Sequence, residues 1–117
     1  MPGDRFLELL LRNAAELKKY YENAPDYAKR IKAVARRHDP RARVLLFGSF
    51  VKGLMRPNSD IDILVVTELA KSVKNRLKLR VEIAREIGEY TPFEIHIATP
   101  EEFKNWYSRF LDKYVEV

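Results

Sequence analysis

Residues 45–66 read LLFGSFVKGLMRPNSDIDILVV, and this stretch constrains the fold of the chain more than any other. A short apolar run, Val44–Phe47, leads straight into Gly48-Ser49. Ten residues (50–59) then separate Ser49 from a second run, Asp60–Thr67, which opens on two aspartates one residue apart. Apolar runs of this length, bounded by Gly and by a Pro57-Asn58 turn signal, read as buried strands. Side chains alternate along a strand, so Asp60 and Asp62 share a face, with Cα atoms roughly 6.6 Å apart. Ile61, Ile63 and Val65 take the other face and point to a core.

That arrangement has a chemical consequence. Two adjacent carboxylates repel, a bound cation relieves the repulsion, and all-oxygen donors suit Mg²⁺ or Mn²⁺. Gly48 has no Cβ, so backbone can approach a phosphate closely. Ser49 adds a hydroxyl at a strand-to-helix turn, where helix N–H groups point at an anion. Lys52 and Arg56 offer positive charge to a triphosphate. A third carboxylate is wanted on a neighbouring strand, and Glu94 in PFEIHIATPEEF is the candidate. It alternates with Phe93, Ile95 and Ile97, so it faces away from their apolar side, as does His96. Glu94 could ligate a second cation and accept the proton of an attacking hydroxyl.

The remaining chain supplies helices. Phe6, Leu10, Ala14, Leu17 and Tyr21 form one stripe of a first helix capped by Asp4, and Leu7, Leu9 and Leu11 widen it enough to predict a well-buried helix. Pro25 breaks it, and Asp26 caps a second helix reaching His38, with Tyr27, Ile31, Val34 and Ala35 inward and Lys29, Arg30, Lys32, Arg36 and Arg37 outward. A turn or short helix follows over 49–53, then a loop over 54–59. Residues 69–88 form a long helix with Leu69, Val73, Leu77, Val81, Ala84 and Ile87 at helical spacing. Phe93–Ala98 is a third strand. Thr99-Pro100-Glu101-Glu102 starts the last helix with a capping box, and its apolar stripe runs Phe103, Trp106, Tyr107, Phe110, Leu111 and Tyr114. The order α-α-β-α-β-α-β-α predicts an α+β (mixed α/β) fold, a small mixed β-sheet flanked by helices. The expected organisation is one domain, 1–117, with an N-terminal helical extension (1–42) and a core (43–117).

Composition narrows the functional classes. The chain has 117 residues and no cysteine, which excludes a disulfide framework and thiolate metal sites. No apolar run exceeds about five residues, against the ~20 of a membrane helix. The acidic, short apolar N-terminus does not read as a signal peptide, so a cytoplasmic protein is expected. The net charge of +5 is concentrated in residues 1–43, where 11 Lys/Arg face 6 Asp/Glu. Basic helices favour anionic partners, nucleic acid among them. Gly48 and Gly53 have P-loop spacing, but Leu54-Met55 stands where Lys-Ser/Thr is required. His38 and His96 give no zinc spacing.

GSFVKG followed by SDIDILVV resembles the nucleotidyltransferase superfamily of DNA polymerase beta type, over about residues 43–100, and the small size resembles its minimal nucleotidyltransferase branch. The resemblance implies transfer of a nucleoside monophosphate from an NTP, AMP from ATP being the expected case, to a hydroxyl with release of pyrophosphate. It implies that Gly48 and Ser49 hold the triphosphate, that Asp60 and Asp62 ligate Mg²⁺ or Mn²⁺, and that Glu94 is the third carboxylate where the family often has Asp. Minimal members often pair with a small helical HEPN protein as antitoxin to an RNase toxin, adding AMP to that partner. Two other readings stay open: a non-catalytic nucleotide-binding or partner-neutralising module, and nucleic-acid binding through Lys29–Arg43 and Lys71–Arg85. A homo-oligomer is compatible with all three, and none involves a membrane.

Overall fold

The structure is a computed structural model that describes residues 2–48, 51, 53, 60–111 and 113–117, without the side chains of 2–4 and 110. The predicted turn over 49–53 and loop over 54–59 therefore fall largely outside the described residues, as do Ser49, Lys52 and Arg56.

Three of the four strands stand where the apolar runs predict: β1 (Arg43–Phe47), β2 (Ile61–Val66) and β3 (Phe93–Ala98). They join a fourth, β4 (Tyr114–Glu116), in a mixed sheet of order β3-β2-β1-β4. β1 runs antiparallel to β2 and to β4, while β2 and β3 are parallel. Parallel neighbours need a long crossover, here residues 67–92. Both ends of the parallel pair are tied, by the Ile61 amide on the Pro92 carbonyl at 2.7 Å and the Thr67 amide on the Ala98 carbonyl at 2.9 Å.

Alternation sorts the strand side chains into two layers. Val44, Leu46, Ile61, Ile63, Val65, Phe93 and Ile97 are buried against two helices, α2 (Ala24–Arg36) and α3 (Val73–Ile87). From α2 come Tyr27, Ile31, Val34 and Ala35, as expected, and from α3 come Leu79, Ile83 and Ile87. On the opposite face Leu45, Leu64, Val66 and Ala98 pack against Phe103, Tyr107 and Leu111 of the C-terminal helical segment. That segment runs from α4 (Pro100–Glu102) through a π-helical turn (Phe103–Tyr107) into α5 (Ser108–Phe110). Its capping box is present: the Thr99 hydroxyl accepts from the Glu102 amide and the Glu102 carboxylate accepts from the Thr99 amide, both at 3.0 Å.

Several expectations are corrected. The segment after β2 is split into a 3-10 turn (Glu68–Lys71) and α3, because Thr67 caps the first and Ser72 the second. On α3 the row Val73, Leu77, Val81 is exposed. The helix carries two apolar rows at four-residue spacing, 73/77/81 and 79/83/87, and the core takes the second. The first helix, α1 (Pro2–Glu22), includes Asp4 in its first turn rather than as a cap, and its Phe6, Leu7, Leu9, Leu10 and Leu11 are 49–63% exposed instead of buried. Only Tyr20 and Tyr21, at its C-terminal end, pack on the core. Asp26 lies in the first turn of α2, not at its cap, and α2 ends at Arg36 rather than His38. Tyr114 belongs to β4, not to the last helix, and Trp106 is exposed rather than part of the inner stripe. Among the described residues no helix is long and apolar enough to cross a membrane.

Candidate active site

The two sheet layers do not extend to the same length. Beyond Leu45 and Leu64 the face that the C-terminal segment covers turns polar, and register decides what meets there. Phe47 pairs with Asp62, and Asp62 with Glu94. Paired residues on neighbouring strands point to the same face, so the carboxylates of β2 and β3 stand side by side. His96, two residues after Glu94, shares that face. The donor atoms of Asp62, Glu94 and His96 all lie within 4.8 Å of one another. Their side chains are 24%, 53% and 30% exposed, a gradient from a sheltered aspartate to an accessible glutamate. The Phe47 ring leans on the imidazole, centroids 5.4 Å apart.

Gly48 closes the site from the β1 side. Its φ is +78°, a conformation L side chains rarely adopt, and a Cβ built on it would lie 2.3 Å from the Asp62 Oδ2. Backbone freedom and close approach thus both demand glycine here. The carboxylate of Asp62 occupies the space that any side chain at position 48 would take.

Asp60 stands apart. It precedes β2, is exposed, and is not one of the three converging donors. Its neighbour is Tyr21 at the end of α1: burial pushes the Tyr21 hydroxyl up from its ordinary pKa, and the negative charge of Asp60 raises it further. The C-terminal end of the N-terminal helix thus lies within electrostatic reach of Asp60, a proximity with no signal in the sequence because 38 positions (from 22 to 59) lie between the two residues. Of the sequence-predicted residues, the structure brings together Gly48, Asp62 and Glu94, and adds His96 and Phe47.

The basic helices are partly occupied by structural work. Arg30 donates to the Glu86 carbonyl at 2.6 Å and to its carboxylate at 3.2 Å, Lys32 to the Val117 carbonyl at 2.8 Å, and Arg36 to the Ala42 carbonyl at 2.9 Å. Three of the five cations on the outer face of α2 are thereby directed at the protein itself.

With this geometry in place, comparison with known proteins is decisive. The family model described as "Nucleotidyltransferase domain" matches residues 28–114. The chain belongs to the nucleotidyltransferase-domain family. A crystal structure of a "putative nucleotidyltransferase" is 31% identical, with a TM-score of 0.64, over 76% of this chain and 95% of that one. A second structure so described, from Sulfolobus solfataricus, superposes with a TM-score of 0.57 at 21% identity over 86% of this chain and 84% of that one, a likeness of fold. No curated protein matches significantly. The α+β sheet with its flanking helices is the nucleotidyltransferase fold.

The residues fit a divalent cation. A buried imidazole nitrogen without a hydrogen-bond partner among the described residues faces two carboxylate oxygens, and donors of this kind converging from adjacent strands are those a hard or borderline dication takes.

Proposed function

We propose that the chain is a divalent-metal-dependent nucleotidyltransferase that transfers AMP from ATP to a hydroxyl of a partner protein, the two forming a HEPN/minimal-nucleotidyltransferase toxin–antitoxin pair in the cytoplasm. The observation that carries the reading is the pairing of Asp62 with Glu94 on adjacent strands, directly behind a glycine where any side chain would be strained and would crowd the Asp62 carboxylate.

In this reading Gly48 lets the backbone approach the triphosphate, with Ser49, Lys52 and Arg56 as further phosphate contacts carried over from the family pattern. Asp62 and Glu94 would hold Mg²⁺ or Mn²⁺, with Asp60, which stands apart from them, carried over from the family pattern alone, and the ion would neutralise charge on the phosphates. Glu94 is the more accessible of the two paired carboxylates, which suits it to take the proton of the acceptor hydroxyl. The acceptor oxygen forms a bond to the α-phosphorus, the bond to the β-phosphate oxygen breaks, and pyrophosphate leaves with the electron pair.

The exposed apolar face of α1 supports a protein partner, because contiguous apolar surface rimmed by charge marks interaction sites. It equally supports a second reading, a module that neutralises a partner by contact alone. Nucleic-acid binding has less support, since internal hydrogen bonds use much of the basic face of α2. The two leading readings separate on pyrophosphate. Purification of the tagged chain from native cells should bring down a small helical protein, and ATP with Mg²⁺ should then release pyrophosphate as that protein gains mass. Co-purified partner without pyrophosphate selects the contact module. Recovery of this chain alone contradicts the partnership.

A further inference from the structure

His96 lies outside the carboxylate pattern, yet it is the best-placed nitrogen in the site. It follows Glu94 by two residues on β3, and its ring is held against Phe47. Its Nε2 is buried and has no hydrogen-bond partner among the described residues. The atom is aimed at oxygens all the same: Asp62 Oδ1 at 3.5 Å and Glu94 Oε1 at 3.7 Å. Those separations are in ion-pair range but exceed the roughly 2.7–3.2 Å of an ordinary N–H···O hydrogen bond. The nitrogen faces two carboxylate acceptors without a hydrogen bond to either.

The separations are near those of a different interaction. Donors bound to one cation at about 2.2 Å stand roughly 3.1 Å apart at a right angle and roughly 3.6 Å apart at a tetrahedral angle, so the two contacts lie within a few tenths of an ångström of co-ligand spacing. The three donors, all within 4.8 Å of one another, can converge on one ion with small side-chain adjustments. Imidazole also changes the character of the site. All-oxygen sets suit Mg²⁺, whereas a nitrogen donor favours transition-metal dications.

We propose that His96 Nε2 is a metal ligand alongside Asp62 and Glu94, and that this mixed imidazole–carboxylate set makes the site selective for Mn²⁺ over Mg²⁺. The inference deepens the metal-dependent reading of the same site and rests on it for the presence of a cation, but not for nucleotidyl transfer. The test uses the purified full chain with Mn²⁺ alone and no nucleotide. Electron spin-echo envelope modulation of bound Mn²⁺ should show coupling to an imidazole ¹⁴N in the wild-type protein. His96→Gln should lose that coupling, weaken Mn²⁺ binding by about tenfold or more, comparable to or above the loss from a disturbed outer-shell partner, and change Mg²⁺ binding less than threefold. His38→Gln, which removes the only other histidine, should keep the ¹⁴N signal. Absence of ¹⁴N coupling in the wild-type protein overturns the proposal without any variant having to fold. So does coupling that survives His96→Gln, or an Mn²⁺ affinity the substitution leaves unchanged. Coupling without nucleotidyl transfer would leave His96 as a ligand and remove the transferase reading; transfer without coupling would do the reverse.

Discussion

Replacing Gly48 by alanine separates two costs that the structure places at one position. The first is backbone strain: an L residue at φ +78° pays about 1–2 kcal/mol. The second is steric. The new Cβ would stand 2.3 Å from the Asp62 Oδ2, and real contacts of this kind stay beyond 3.0 Å, so the carboxylate must retreat by 3.0 − 2.3 = 0.7 Å or more. A catalytic group misplaced by about 1 Å can lose on the order of 10²-fold in rate. Gly53 supplies the control, because its φ is +71° but a Cβ there meets nothing within 4 Å among the described residues. Denaturant unfolding should therefore show Gly48→Ala and Gly53→Ala losing similar stability, about 1–2 kcal/mol each. Mn²⁺ binding and nucleotidyl transfer should fall by about ten- to a hundredfold in Gly48→Ala and stay within about threefold in Gly53→Ala. Wild-type metal affinity and transfer in Gly48→Ala would refute the claim that this glycine exists to admit the Asp62 carboxylate.

Three further outcomes follow from the fold. Leu79→Ala should cost about 2–5 kcal/mol and Leu77→Ala, two positions away, less than about 0.5 kcal/mol in the same unfolding assay, because only the first faces the core. Burial pushes the Asp39 carboxyl up, but hydrogen bonds from the Thr67 hydroxyl and the Arg41 and Glu68 amides outweigh it and leave the pKa below its ordinary value. A lowered folded-state pKa contributes stability above the unfolded value of about 3.9 that is lost as pH falls through the folded one; the stability gap between wild type and Asp39→Asn should be largest near neutral pH and close progressively in acid. Leu7→Glu/Leu10→Glu on the exposed face of α1 should leave the unfolding free energy of the isolated chain within about 0.5 kcal/mol while reducing recovery of any partner from native cells.

The strands and the carboxylate pair were legible because both depend on local pattern. Phe93–Ala98 and the Thr99–Glu102 capping box need only alternation and a four-residue motif, and register then places Asp62 beside Glu94. What escaped depended on tertiary choice. Periodicity on α3 offers two equal apolar rows and cannot say which one the sheet will take. The apolar residues of α1 read as core, yet the core is filled by α2 and α3 and leaves most of that helix outside. β4 escaped because three residues are too few to show a period, although the Tyr114–Val117 alternation with two valines was a strand signal. It is held by pairing with β1 and by the Arg43–Glu116 ion pair, partners 73 residues apart. In the site, the shared face of Glu94 and His96 was readable from alternation, but the unsatisfied Nε2 and the approach of Tyr21 to Asp60 exist only once the strands and α1 are assembled.

The central claim is that Asp62 sits in a nucleotidyl-transfer site, and transfer of α-labelled ATP in the presence of Mg²⁺ or Mn²⁺ into a lysate of the source organism tests it most directly. Wild-type protein should place label on one protein band, and Asp62→Asn, folded to the same extent, should place none. Label transferred equally by the Asp62→Asn protein, or none by the wild type with any nucleoside triphosphate, would contradict the account.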